Sequence, residues 1–255
     1  MCRAVRARLP GLLALLAAFG LAAAGPRAAA DEVHKLLYIT HSAGYRHEVL
    51  PLSMQILEEL GAKAGWFEVT ATEDVTGLTA RNLEQYAAVV FYTTGEVPIS
   101  AQQKADLLGF VEGGKGFVGI HSATDTFYEW PEYGRLIRAY FDQHPWHQEV
   151  TIRVEDREHP ATRHLGAEFR ITDEIYQFKD FSRANVHVLL SLDPASVDLT
   201  LPDVHRADRD FAIAWTRSQG KGRVFYTALG HRPEVWRDAR FQRHLVEGLR
   251  WAVGD

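Results

Sequence analysis

The chain is 255 residues long, carries 28 basic and 33 acidic side chains for a net charge of −5, and holds one cysteine, Cys2. An acidic chain without a basic block excludes a nucleic-acid surface, whose phosphates demand clustered Lys and Arg. At this length, with 46% apolar residues, one domain around a single core is expected.

The N-terminus places Arg3, Arg6 and Arg8 ahead of an apolar run from Leu12 to Ala24, and Ala28, Ala29 and Ala30 ahead of Asp31. A basic head, a short greasy core and small residues before a cut are the parts of a secretory signal. Residues 1–30 are therefore predicted to be removed, leaving 31–255 as a single domain. The run falls short of the about 20 apolar residues a membrane span needs, so no lasting anchor is expected. The mature chain is placed in the periplasm or outside the cell. Cleavage takes away four arginines and no acid, moving the net charge from −5 to −9. Cys2 leaves with the signal, and a cysteine nucleophile is excluded.

In the mature chain, Lys35 to Thr40 is a continuous apolar run of the kind that forms a strand buried on both faces. A glycine-containing loop, His41 to His47, follows it. Leu52, Ile56, Leu57 and Leu60 then fall at helical spacing, with Gly61 near the stop. Phe67 to Thr70 and Ala87 to Tyr92 read as the next strands. Ser100 is a good N-cap for a helix through Leu107, Leu108 and Val111, closed by Gly113 and Gly114. Gly116 to Ile120 is a fourth strand that ends directly at His121. Strands alternating with helices at this spacing predict βαβ units and a mainly parallel sheet.

Beyond it, Pro131 to Phe141 is expected to be helical, and Asp142 to His147 a loop. Glu149 to Val154, Val186 to Leu192 and Phe211 to Thr216 are expected strands, with 156–185 an insertion of mixed structure. Gly222 to Leu229 is the last strand and ends at Gly230-His231. Phe241, Leu245, Leu249 and Ala252 mark one face of a closing helix.

His41, His121 and His231 each follow an apolar run, and ligands of open parallel sheets bind beyond the carboxyl ends of the strands. These histidines are predicted to meet in a cleft. Gly113 to Ala123 has the layout of a nucleophile elbow with His121 at the exposed position. Ser122 beside it reads either as a nucleophile activated by a histidine or as a turn residue. Asp125 is near enough to orient His121 or to cap the next helix. His144, Trp146 and His147 in the Asp142 to His147 loop form a candidate sugar-stacking or metal-binding edge. Asp173-Glu174-Ile175-Tyr176 offers a carboxylate pair and a phenol for acid–base work. Neighbours in a strand point to opposite faces, so only one of the two carboxylates is expected to face the cleft. No H-x-x-x-H or H-E-x-x-H helix is present. A divalent ion such as zinc would fall to His41, His121 and His231.

The His41 to His47 loop, the Gly113 to His121 stretch, Asp173 to Tyr176 and the Gly220 to His231 segment, in this order and spacing, resemble the ThuA-like (trehalose-utilisation) family, from about Lys35 to Val253. The resemblance implies a flavodoxin-like fold similar to class I glutamine amidotransferases, a mainly parallel sheet with helices on both faces. In those enzymes a cysteine occupies the elbow, where this chain has His121, so acyl transfer from glutamine is not expected. Gly230 to Glu234 is similar to their His-Pro-Glu segment with one residue inserted, which brings His231 into the cleft. The resemblance also implies a small-molecule sugar or glycoside as partner.

Three functional readings follow. The first is a hydrolase or lyase of disaccharides or glycosides, with His121, His231 and Asp173 or Glu174 transferring protons. His41, Tyr45, His47, Ser122, Asp125, Trp146, His147 and Tyr176 would bind its substrate. The second is a metal-dependent hydrolase using the same histidines. The third is a non-catalytic periplasmic sugar-binding protein on an enzyme's fold.

Overall fold

The computed structural model describes residues 33–254 together with Met1, Cys2 and Ala4, and the segment read as a secretory signal otherwise lies outside them. The chain divides into two units, Met1–Glu32 and Val33–Asp255, and the elements of the described residues lie in the second.

Apolar runs with no polar face have to be covered on both sides, and they make the centre of the sheet. These are β1 (His34–Ile39), β3 (Ala88–Phe91), β4 (Gly116–Ile120) and β9 (Gly222–Thr227), flanked by β2 (Phe67–Thr72). All five run parallel, in the order β2-β1-β3-β4-β9. That order is the flavodoxin-like one, and the connections from β1 through β4 run through helices. An antiparallel extension, β8 (Ala212–Gln219), β7 (His187–Leu192), β5 (Tyr140–Val154) and β6 (Glu168–Lys179), continues the sheet to nine strands among the described residues. The fold is mixed and mostly parallel, with helices against the sheet, as expected for a class I glutamine amidotransferase-like protein.

Local chemistry sets the helix ends. Helix α1 (Leu50–Ala64) stops at Gly65, which adopts φ 75°, a conformation glycine takes without steric cost. The short α2 (Ala80–Leu83) is capped by Thr79. Ser100 and Gln103 form a reciprocal capping box at the start of α3 (Ala101–Glu112). Helix α4 (Pro131–Ile137) is shorter than the sequence suggests: Arg138 turns left-handed at φ 71°, and Tyr140 already opens β5. Asp142 to His147 is accordingly a strand with two register shifts, not a loop. The unassigned stretch 156–185 contains β6. After β9 come α5 (Pro233–Arg237) and α6 (Ala239–Val253), whose Phe241, Leu245, Leu249 and Ala252 are buried.

β5 and β6 form a long antiparallel pair, and side chains of β6 reach the residues just past β4 and β9. The carboxylate of Asp173 in β6 accepts from the amides of Gly230 and Arg232, just past β9. This contact carries an acidic strand into the crevice where the parallel strands end.

Candidate active site

His121 occupies the elbow. Its backbone is left-handed, φ 45°, and it opens a single 3₁₀ turn, His121–Thr124, directly after β4. A non-glycine residue in that region costs about 1–3 kcal/mol and persists only where its surroundings fix it. Small neighbours permit the turn: a Cβ on Gly119 would sit 2.9 Å from Tyr226 and 3.1 Å from the Cβ of Ala123. The carbonyl of His121 accepts from the Tyr226 hydroxyl at 2.7 Å. Its ring is fully buried and lies 4.3 Å, centre to centre, from that of Tyr176.

The His121 Nδ1 is 2.7 Å from the carbonyl oxygen of Ala228. A carbonyl only accepts, so Nδ1 holds the proton and Nε2 turns toward the crevice. Nε2 lies 3.3 Å from Glu174 Oε2 and 3.2 Å from His231 Nδ1, and the latter is 3.0 Å from the same carboxylate oxygen. Three polar atoms from β4, β6 and the end of β9 thus form a tight triangle. His231 gets there because Gly230, at φ 125°, is held three ways. Its amide donates to Asp173 Oδ2, and its carbonyl accepts from Tyr92 and Trp236.

His47, from the loop before α1, is the fourth member. It is buried, its ring centre is 5.0 Å from His121 and 5.2 Å from His231, and its Nδ1 has no hydrogen-bond partner. One donor atom from each of His47, His121, Glu174 and His231 lies within 4.8 Å of the others. Three imidazoles and a carboxylate are a donor set that could hold a divalent ion of the zinc or manganese type.

Burial, then the charges of His121 and His231, push His47 down to about 2, so its ring is neutral. Burial works to raise the Glu174 carboxyl, but hydrogen bonds with His121 and His231 and their charges outweigh it and hold the group below the usual carboxylate range. Burial raises Asp173, offset in part by His121 and by the amides of Gly230 and Arg232. Burial also lifts Tyr176 well above an ordinary phenol, which keeps it protonated.

A cavity of about 380 Å³ opens beside the cluster, with His47 and His231 in its wall. Tyr45, Glu48, His147, Arg232 and Glu234 line the rest. Tyr45 is 63% exposed and stands edge-on to His47. Arg232 donates from Nε to His147 Nε2 and pairs with no carboxylate among the described residues.

The structure brings His121, His231, Glu174, His47, Tyr45, His147 and Tyr176 together, and moves others elsewhere. His41 turns away, with Nδ1 on the carbonyl of Glu73, so it is not a ligand beside His121 and His231. Trp146 is buried in the core, donating to Asp198, and offers no ring to a sugar. Ser122 Oγ is buried with no hydrogen-bond partner, and no histidine activates it. Asp125 accepts from Tyr128, while the Ala228 carbonyl does the orienting of His121 expected of it. Burial raises the Asp125 carboxyl. Asp173 faces the backbone of the 230–232 loop and Glu174 faces the histidines. Glu234 lines the cavity, and the carboxylate reaching His231 is Glu174 from another strand. Sequence reasoning missed Glu48 and Arg232 in the cavity wall and Ala228 behind His121. Arg232 alone carried a signal, its place next to His231.

Comparison with curated proteins finds no match. Among solved structures, a ThuA-like protein of Bacteroides uniformis superposes with a TM-score of 0.75 at 28% identity, over 89% of this chain and 95% of that one. A ThuA-like protein of Parabacteroides merdae gives 0.70 at 20% identity, over 88% and 91%. A PurLQS structure from Thermotoga maritima gives 0.51 at 14% identity, over 86% and 99%, which is a likeness of fold. The ThuA family model, described as trehalose utilisation, matches residues 35–252, and the chain belongs to that family.

Proposed function

We propose that the chain is an exported enzyme of carbohydrate breakdown that acts on a neutral disaccharide or glycoside by proton transfer from His231 and His121. The observation that carries this reading is the triangle of His121 Nε2, His231 Nδ1 and Glu174 Oε2, within 3.3 Å of one another beside the cavity. Glu174 accepts the Nδ1 proton of His231, which leaves the other ring nitrogen free to exchange a proton with a substrate oxygen. The cavity wall mixes two carboxylates, Glu48 and Glu234, with the Arg232 guanidinium and an exposed Tyr45 ring. Hydroxyl groups both donate and accept, so a sugar matches this mixture, whereas the two carboxylates oppose a phosphorylated one. The family's description, trehalose utilisation, and the signal-like N-terminus agree with a sugar met outside the cytoplasm.

Glutamine amidotransfer is not proposed. The elbow carries an imidazole, and Cys2, far upstream in the signal-like segment, is the one cysteine in the sequence. The test is incubation of the purified protein with neutral disaccharides, glycosides and their 3-keto forms, followed by product analysis. Conversion of at least one, lost in His231→Ala, is expected. Binding without conversion across the panel would replace this reading with that of a periplasmic sugar-binding protein.

A further inference from the structure

The triangle is short of protons. His121 has committed its Nδ1 proton to Ala228, so the neutral ring would present its Nε2 lone pair to the Glu174 carboxylate 3.3 Å away. Two acceptors at that distance repel unless something positive lies between them. One N–H, on His231 Nδ1, is left to serve both. A fourth group adds to the deficit: His47 is 4% exposed, offers a further nitrogen within 4.8 Å of the other donors, and has a buried Nδ1 with no partner.

We infer that a divalent transition-metal ion of the zinc class binds here, held by His47, His121, Glu174 and His231. Separations of 3.0 to 3.3 Å among three of the donor atoms match the roughly 3.3 Å expected between ligands each about 2.0–2.1 Å from one ion. The carbonyl behind His121 is the outer-shell partner that ligating imidazoles commonly use to fix their tautomer. Asp173 acts from further out, since its carboxylate holds the loop that presents His231. The ion takes the place of the shared proton, and His231 then carries its hydrogen on Nε2.

The donors come from four separate segments, the loop after β1, the elbow after β4, β6 and the loop after β9. No short motif marks such a set. His41, at a strand end like the others, does not belong to it. Because His47 and His231 also line the cavity, the ion faces a space where a sugar hydroxyl or carbonyl oxygen can reach it. What the ion does for a sugar rests on the reading above; its binding does not, and is measured without sugar.

The experiment uses untagged full-length protein, stripped with chelator, dialysed and titrated with Zn²⁺ by calorimetry, with Co²⁺ as a visible-absorption probe. One equivalent of Zn²⁺ is expected, with Co²⁺ bands of an imidazole-containing site that Zn²⁺ displaces. His47→Ala and Glu174→Gln should each weaken binding more than about 100-fold, beyond the 10–100-fold typical of losing an outer-shell partner. His41→Ala should leave binding unchanged. Circular dichroism of the stripped variants separates a lost ligand from a lost fold, and the Co²⁺ bands of the unaltered chain need no variant. Absence of stoichiometric binding by the native protein would overturn the assignment. So would full retention of binding by folded His47→Ala and Glu174→Gln, which would put the ion elsewhere. One equivalent bound with no sugar converted would support the metal site and overturn the sugar reading.

Discussion

Glu174 faces three imidazoles, His121 and His231 at 3.0 to 3.3 Å and His144 at 3.8 Å, while its neighbour Asp173 holds the amides of Gly230 and Arg232, because successive side chains of a strand leave on opposite sides. The two are therefore expected to fail differently. Asp173→Asn removes a fully buried acceptor of two backbone N–H groups and points an NH₂ at one of them. The loss should be about 1.5–3 kcal/mol of stability, read by urea unfolding, with weakened activity through a displaced His231. Glu174→Gln is nearly isosteric and should keep the native fold, read by circular dichroism, while losing the charge that pairs with His121 and His231. A second contrast separates the aromatic candidates. Tyr45→Ala should change stability by less than about 0.5 kcal/mol while raising KM for the sugar, since its ring is mostly exposed. Trp146→Ala should cost about 3–5 kcal/mol, as for any large ring deleted from a core. Equal stability losses in the two variants would contradict these placements.

Elements differ in how far their sequences announce them. The parallel strands are legible because each is a short apolar run, and β4 and β9 lead into His121 and Gly230-His231. Strand β6 is not, because it buries Asp173, Glu174 and Gln177 among its apolar residues, and that breaks the alternation by which a strand is recognised. The β5 segment around Pro145 reads as a loop for a similar reason: its register shifts interrupt any period of two. His47 is legible as a cleft residue but not as a partner of His121, since its loop position gives no spacing to compare. The elbow itself is testable. Gly119→Ala would drive a methyl to 2.9 Å from the Tyr226 ring and 3.0 Å from Ile137, and should destabilise by about 1–3 kcal/mol. His121→Asn should be tolerated far better by the fold, since asparagine accepts the left-handed backbone, yet it should remove activity. Activity in His121→Asn comparable to the native protein would show that the elbow is architectural only.

For the whole molecule, the parallel half supplies rigid strand ends and the antiparallel hairpin returns across them with the carboxylate. A second group of histidines, away from the cleft, ties stability to pH. Burial above all pushes His159 and His244 down to about 4, and each retains a buried nitrogen with no partner. Between pH 4 and 6.5 these rings are neutral in the folded chain and protonated in the unfolded one. The unfolded state then binds more protons, so stability is complete above pH 6.5 and declines as pH falls toward 4. His244 alone accounts for roughly 3 kcal/mol of that decline. Urea midpoints at pH 7 and 5 should differ clearly in the native protein and by a smaller margin in His244→Leu, since His159 and His47 still contribute. The central claim, that the histidines and Glu174 form one catalytic group, is tested most directly by kcat of Glu174→Gln on whichever panel sugar the native enzyme converts. A fall of at least about 100-fold, the usual worth of a positioned acid–base group, is predicted in a variant that keeps the native circular dichroism. A kcat within a few-fold of native in that variant would contradict it.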